Sequence, residues 1–319
     1  MKVLVTGAAG FIGSHLSRTL LQRGDTVVGV DNFNDYYDPA RKRANVDQLV
    51  PFHRFSMLEA DIRDRGRMLD LCAEGKFDAI AHLAAMAGVR YAVEHPEIYG
   101  EVNVNGTINM LDGARLNKVK NFVFASTSST YGNTDQIPFV ESDPCNRPLQ
   151  PYAATKKAGE VLGYSYHHLF GLNFTALRFF TVFGPNGRPD MMAYKVLDNI
   201  FTDREVPLYN QGQMYRDWTY VDDTVAGVVA ALDRPLGYEI INLGRGETTL
   251  LADFITLIEE LSGRQANLIP TPMPAADVQS TRADIDKARQ LLDYNPCVTV
   301  REGVTRFWEW YRDTILATG

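Results

Sequence analysis
The chain has 319 residues, of which 22% are charged and 45% hydrophobic, an ordinary balance for one or two folded domains with a sizeable core. A formal net charge of −7 without a long basic run argues against nucleic acid, whose phosphates are gripped by clustered Lys and Arg. Three scattered cysteines, six histidines in no ligand-like spacing and no apolar run of spanning length argue against a disulfide framework, a metal site and a membrane span.

The chain begins on strand-like Lys2-Val3-Leu4-Val5-Thr6, which leaves no room for a signal peptide. With Cys72, Cys145 and Cys297 read as buried or inert thiols, this points to the cytoplasm. Val3–Thr6, Thr26–Val30, Ala79–Leu83, Phe122–Ser126 and Thr175–Phe179 are short, nearly continuous apolar runs, the pattern of parallel strands covered on both faces. Helical patterns lie between them at Gly13–Arg23, Arg65–Ala73, Glu97–Leu116 and Tyr152–Phe170. The basic run Arg41-Lys42-Arg43 follows Asp38-Pro39 and reads as the solvated start of a further helix. Alternation of strand and helix predicts an α/β fold, a doubly wound parallel sheet of the Rossmann kind.

Past residue 180 the texture changes. Gly184-Pro185-Asn186-Gly187-Arg188-Pro189 is a loop by composition. A helix at Met191–Thr202, a strand at Val206–Tyr209, a strand turning into a helix over Trp218–Leu232, a strand at Tyr238–Leu243 and helices at Leu251–Ser262 and Val300–Ile315 follow, with a loop at Thr271-Pro272-Met273-Pro274. The expected organisation is a dinucleotide-binding domain over 1–180, rejoined by about 217–245, and a smaller mixed α/β substrate domain over 181–319.

Thr6-Gly7-Ala8-Ala9-Gly10-Phe11-Ile12-Gly13 joins the first strand to the first helix. Glycines there permit a tight turn and close approach of a pyrophosphate, which the free N–H groups of the helix start attract. Asp31 ends the second strand at the spacing where a carboxylate grips the adenosine ribose and repels a 2′-phosphate, so NAD is favoured over NADP. Asp61-Ile62, after a third strand, could contact adenine.

Tyr152 and Lys156 are four apart and share one face of a helix that starts after Pro151. Ser126-Thr127-Ser128-Ser129 lies at the C-terminal end of a predicted strand, where open α/β sheets bind their ligands. A phenol with pKa near ~10 is a poor base at neutral pH. The expectation is that the Lys156 ammonium, aided by a nicotinamide cation, outweighs desolvation and favours the Tyr152 phenolate. Thr127 would hydrogen-bond the reacting oxygen and help relay its proton.

These motifs, with His82-Leu83-Ala84-Ala85 and Asn103-Val104-Asn105-Gly106-Thr107, resemble the extended short-chain dehydrogenase/reductases along essentially the whole chain. Within them, Asp31-Asn32-Phe33-Asn34-Asp35-Tyr36-Tyr37-Asp38, Ala87-Gly88-Val89-Arg90-Tyr91, Arg178-Phe179-Phe180-Thr181-Val182-Phe183-Gly184-Pro185, Gly187-Arg188-Pro189-Asp190-Met191 and the stretch from Gly212 to Asp223 resemble the UDP-glucuronate 4-epimerases. The resemblance implies NAD held by Gly7, Gly10, Phe11, Ile12, Gly13, Asp31, Asn32, Asn34, Asp61, Ile62, Leu83, Ala84, Ala85, Tyr152 and Lys156. It implies a UDP-sugar diphosphate on Arg216 and Arg282, further substrate contacts from Arg90 and Arg188, and a homodimer built on the helices near Glu97–Leu116 and Tyr152–Phe170. The implied reaction oxidises C4 of a UDP-sugar, most simply UDP-glucuronate, turns the 4-keto sugar over and reduces its other face.

A 4-keto acid of this kind loses carbon dioxide easily. Thr127, Ser128, Ser129 and Thr181 are expected to pin the carboxylate out of the alignment that loss requires, hydroxyls without a strong cation being poor electron sinks. Met86 and Asn186 depart from the polar residue and the Trp common in relatives, which leaves a UDP-galactose or UDP-N-acetylhexosamine 4-epimerase, or a UDP-glucuronate decarboxylase, as alternatives. A 4,6-dehydratase would need an acidic pair where Ser128 and Ser129 stand, and a catalytically silent module would be expected to lack Tyr152 or Lys156.

Overall fold
The computed structural model describes residues 1–317. In chain order the elements are β1 (Lys2–Thr6), α1 (Phe11–Arg23), β2 (Thr26–Asp31), α2 (Pro39–Asp47), β3 (Phe55–Glu59), α3 (Arg65–Gly75), β4 (Ala79–His82), α4 (Tyr91–Glu94), α5 (Pro96–Tyr99), α6 (Thr107–Leu116), β5 (Asn121–Thr127), α7 (Pro151–Phe170) and β6 (Phe174–Phe179). They continue with β7 (Thr181–Phe183), α8 (Met192–Phe201), β8 (Val206–Tyr209), β9 (Tyr215–Arg216), β10 (Trp218–Tyr220), α9 (Val221–Asp233), β11 (Tyr238–Leu243), β12 (Thr249–Leu250), α10 (Leu251–Ser262), β13 (Leu268–Thr271), α11 (Asp286–Leu292) and α12 (Val300–Trp310).

Seven strands form one parallel sheet in the order β11-β6-β5-β4-β1-β2-β3. The order reverses between β1 and β4, which opens a crevice beyond the strand C-termini. β11 comes from the second half of the chain yet closes the edge of this sheet beside β6. The remaining strands make two-stranded pairs: β7 with β10, β9 with β12 and β8 with β13. One hydrophobic cluster runs from Val5, Leu16 and Leu177 under the sheet to Phe183, Trp218, Phe254 and Phe307 in the second half, so both halves share a core. Trp218 and Phe254 stack there with ring centroids 3.9 Å apart.

The stretch expected as one helix over Glu97–Leu116 is helical throughout, but Gly100–Gly106 between α5 and α6 winds as a π-helix. The wide turn brings Asn103 to bear on the loop after β4: its Oδ1 accepts the Met86 N–H at 2.8 Å and its Nδ2 donates to the Met86 carbonyl at 3.0 Å. Such insertions often sit beside functional sites. The final helix likewise turns π-helical over Tyr311–Leu316.

The basic run on α2 is not wholly solvated. Lys42 is buried and its ammonium donates to the Asn34 carbonyl and Oδ1 at 2.8 and 2.9 Å, while Arg41 bonds the Tyr194 hydroxyl. Cys72 and Cys145 are buried, but Cys297 is exposed; the charge of Asp223 keeps its thiol pKa raised and the thiol protonated. No helix among the described residues is long and apolar enough to cross a membrane.

The helix that carries Tyr152 and Lys156, α7, lies tight on the sheet. A Cβ at Gly159 or Gly163 would run into the rings of Phe124 and Phe174, so only glycine allows this approach. Below it sits a fully buried ion pair: Arg178 on β6 donates to both Glu160 oxygens, at 2.9 and 2.8 Å, and Ser126 on β5 adds a third bond at 2.7 Å. Burial works against the Glu160 carboxylate, yet Arg178 more than compensates and holds its pKa below the usual value. Removing one partner of such a pair leaves a naked buried charge, typically costing about 3–5 kcal/mol. Arg178→Met is therefore expected to lower unfolding stability by that amount in a urea titration, and a loss under about 1 kcal/mol would show that the pair does not hold helix to sheet.

Candidate active site
The crevice is a cavity of about 690 Å³ over the C-terminal ends of the central strands. It is lined by every residue expected from sequence to hold NAD, from Gly7 through Asp31 and Asp61 to Ala85, and by Thr127, Ser128, Ser129, Tyr152, Lys156, Thr181, Arg90, Arg188 and Arg216. Arg282 is not brought into it; Thr281 lines the cavity instead, while the Arg282 carbonyl accepts the Phe139 N–H. Sequence reasoning also passed over Tyr36, Lys42, Asp190, Lys195 and Asp277, all on the cavity wall. Tyr36, Asp190 and Asp277 lie on irregular segments, where no periodicity marks a side chain's direction, while Lys42 and Lys195 lie on α2 and α8.

The glycine loop has the shape of a pyrophosphate cradle. Gly7 has φ +72° and a Cβ on it would stand 2.8 Å from the Ala84 nitrogen; one on Gly13 would collide with the Gly7 carbonyl. The loop is pinned by Gly7 N–H donating to the Val30 carbonyl at 2.7 Å, and the cap of α1 carries no side-chain hydrogen bond, which leaves its N–H groups for an anion. Asp31 accepts the N–H groups of Phe33 and Ala9 at 2.9 and 3.3 Å. Burial raises its pKa, and those donors with Lys42 only partly offset it. Asn32 donates to Asp61 at 2.9 Å, and both line the cavity. These residues fit a bound NAD.

At the other end, Thr127 closes β5. Its Oγ1 accepts the Ser129 N–H at 3.1 Å, so the hydroxyl proton is left for donation into the cavity. The Tyr152 ring stands edge-on to Tyr99 at 6.2 Å. Burial raises the Tyr152 pKa; the Arg188 guanidinium and a hydrogen bond from Thr127 pull it back only in part. Of the charges around the phenol, that of Arg188 opposes desolvation, and desolvation prevails. The Lys156 ammonium is almost wholly buried, 4.5 Å over the Phe124 ring, and burial drives its pKa down to about 7, with the Glu160 charge resisting. His82 beside it is kept neutral, its pKa pushed to about 3 by burial, and bonds Thr6 and Thr107 at 2.7 and 3.1 Å.

Two arginines face each other across the outer half of the cavity. Arg90 lies on the Tyr209 ring at 4.4 Å and bonds its hydroxyl at 2.5 Å. Arg216 is fixed by the carbonyls of Tyr215 and Gln279 at 2.9 and 3.1 Å. Asp277 stands between them, 3.8 Å from Arg90 and 4.0 Å from Arg216. Both distances are too long for strong pairs, so both forks remain available to an oxyanion.

Residues 3–244 match the model of the NAD dependent epimerase/dehydratase family. A UDP-glucuronate 4-epimerase of Thermodesulfobacterium geofontis is 41% identical over 98% of this chain and 96% of its own. The crystal structure of a UDP-glucuronic acid 4-epimerase from Bacillus cereus, in complex with UDP-glucuronic acid and NAD, is 35% identical with a TM-score of 0.91, covering 98% of this chain and 99% of that one. A UDP-glucose 4-epimerase from Thermotoga maritima, solved with UDP-glucose, is 29% identical with a TM-score of 0.91, covering 99% and 100%. Sequence and fold thus agree over nearly the whole chain, and the protein belongs to the NAD-dependent epimerase/dehydratase family of extended short-chain dehydrogenase/reductases.

Proposed function
We propose that the chain is an NAD-dependent UDP-glucuronate 4-epimerase that interconverts UDP-glucuronate and UDP-galacturonate. The observation that carries the reading is one cavity in which Tyr152, Thr127 and a set of hydroxyls and cations lie beside a glycine cradle shaped for a dinucleotide. Similarity to UDP-glucuronate 4-epimerases over nearly the full length supports it.

Residues 1–180, with 217–245, hold the cofactor, and most of the remainder holds the UDP-sugar. NAD, when bound, accepts hydride from C4 of the sugar and returns it to the opposite face. Tyr152 takes the C4 hydroxyl proton in the first half and gives it back in the second. Thr127 has one proton to donate, which it gives to the phenolate or to the sugar oxygen as the proton moves between them. Lys156, buried on the next turn of α7, adds positive charge beside Tyr152 when protonated, against the pull of burial on its pKa. Arg216 and Arg90 hold the diphosphate about which the keto sugar swings. Ser128, Ser129 and Thr181 grip the sugar carboxylate, and the Arg188 charge bears on the Tyr152 phenol.

Partner and compartment follow by similar reasoning. α7 leaves Val161, Tyr164 and Leu169 exposed in helical register, with Phe170 and Leu116 beside them. Such a stripe suits a second copy of the helix pair α6 and α7 related by a two-fold axis, which makes the protein a homodimer. Three free thiols suit the reducing cytoplasm.

Tyr152→Phe is expected to cut kcat for UDP-glucuronate by about 10²–10⁴-fold while leaving NAD content unchanged. Undiminished turnover, followed by product chromatography, would refute the assigned base. Thr181→Ala should raise the fraction of decarboxylated UDP-pentose; an unaltered product ratio would remove Thr181 from carboxylate control. Val161→Asp with Leu169→Asp should yield monomers by light scattering where the native chain gives dimers, and a native monomer would contradict the interface.

A further inference from the structure
One carboxylate on the cavity wall, Asp190, has no part in this scheme. Arg188 grips Asp190 twice, Nε to Oδ1 at 2.9 Å and Nη2 to Oδ2 at 2.6 Å. The Tyr36 hydroxyl donates to the same Oδ2 at 3.0 Å. Tyr36 belongs to the loop that follows Asp31 at the end of β2 and carries Asn32 and Asn34, whereas Arg188 and Asp190 lie on the loop before α8. The contact therefore bridges the cofactor side and the sugar side of the cavity. Tyr91 stands edge-on against the Tyr36 ring at 5.1 Å and holds it in place.

The guanidinium at the centre of this bridge lies within electrostatic reach of the Tyr152 phenol, and each favours the charged form of the other. Other groups face the same space. Thr127 faces Tyr152; Tyr36, Tyr37, Tyr99 and Lys42 face Arg188; and Lys195 on α8 faces Asp190. Of these, Asp190 alone carries a negative charge against the guanidinium at bonding distance.

We propose, on the basis of the epimerase reading above, that Asp190, steadied by Tyr36, is a positioning residue that limits how much of the Arg188 charge reaches the Tyr152 phenol and the C4 oxygen of the sugar. The balance matters because the same charge serves two reactions. It helps form the phenolate that accepts the C4 proton. It also stabilises the unwanted enolate: loss of carbon dioxide breaks the bond from C5 to the carboxyl carbon, the electron pair becomes the C4–C5 enolate, and a solvent proton quenches it at C5. A guanidinium whose charge is shared with a carboxylate is a weaker sink than a bare one. Asp190 thus trades some acidity of the phenol for retention of the carboxyl group.

The test is a titration of the Tyr152 phenol in NAD-loaded enzyme without substrate, read as tyrosinate absorbance of each variant minus that of the same variant carrying Tyr152→Phe. Asp190→Asn should lower the midpoint by about one pH unit and raise the UDP-pentose fraction. Asp190→Glu should restore both. Tyr36→Phe keeps the ion pair but removes the donor that shares the Asp190 charge, so its midpoint should move upward, by less. A midpoint that stays put in both Asp190→Asn and Tyr36→Phe, each checked for a native melting temperature, would overturn the proposal. The titration needs no turnover, so failure of the native enzyme to make UDP-galacturonate would count against the proposed function alone.

Discussion
The carboxylate of Glu160 is the tie between helix and sheet on which the rest depends. It is reached by Arg178 from β6, by Ser126 from β5 and by Lys157 from its own helix, at 2.7 to 3.2 Å. Ser126 precedes Thr127, and Glu160 lies one turn after Lys156 and two after Tyr152. The tie therefore sets the base and its hydrogen-bonding partner against each other through rigid elements rather than loops. Buried pairs of this kind are costly to assemble, so their value lies in the single arrangement they permit. One donor, Arg178 Nη1, is left without a partner in the described structure, a cost the arrangement tolerates.

Burial in the cavity favours the protonated phenol of Tyr152. Burial raises Tyr152 and lowers Lys156 together, so both groups rest closer to neutrality than they would in water. Each pKa unit of such displacement is worth ~1.4 kcal/mol of differential interaction. A positive charge brought beside the phenol favours its ionised form. The substrate half is arranged differently. Arg90 and Arg216 are held by a ring, a hydroxyl and carbonyls, with Asp277 near but not bonded, which is a preorganised site for a polyanion.

Much of this was legible in the sequence because it follows from local rules. Glycines before a helix, an acid ending β2 and a Tyr–Lys pair at helical spacing each announce their structure through period and turn chemistry. The doubly wound sheet was expected from strand–helix alternation, and the sheet order bears it out. What was missed lies where long-range packing decides. Nothing local marks Lys42 as buried, since its partner Asn34 sits on an irregular loop. Nothing local turns Arg282 away and Thr281 inward, because that segment has no period to read. The π-helical turn at Gly100–Gly106 likewise reflects a tertiary demand, the grip of Asn103 on Met86.

Central to the chemistry is hydride that leaves C4 and returns to C4 within one closed cavity. The most direct measurement follows UDP-glucuronate carrying deuterium at C4 through one conversion and reads the product by mass and NMR. UDP-galacturonate that keeps the deuterium at C4 is the predicted result. Product that has exchanged this deuterium for solvent hydrogen would contradict hydride storage on a bound nicotinamide and, with it, the role assigned to the whole cavity.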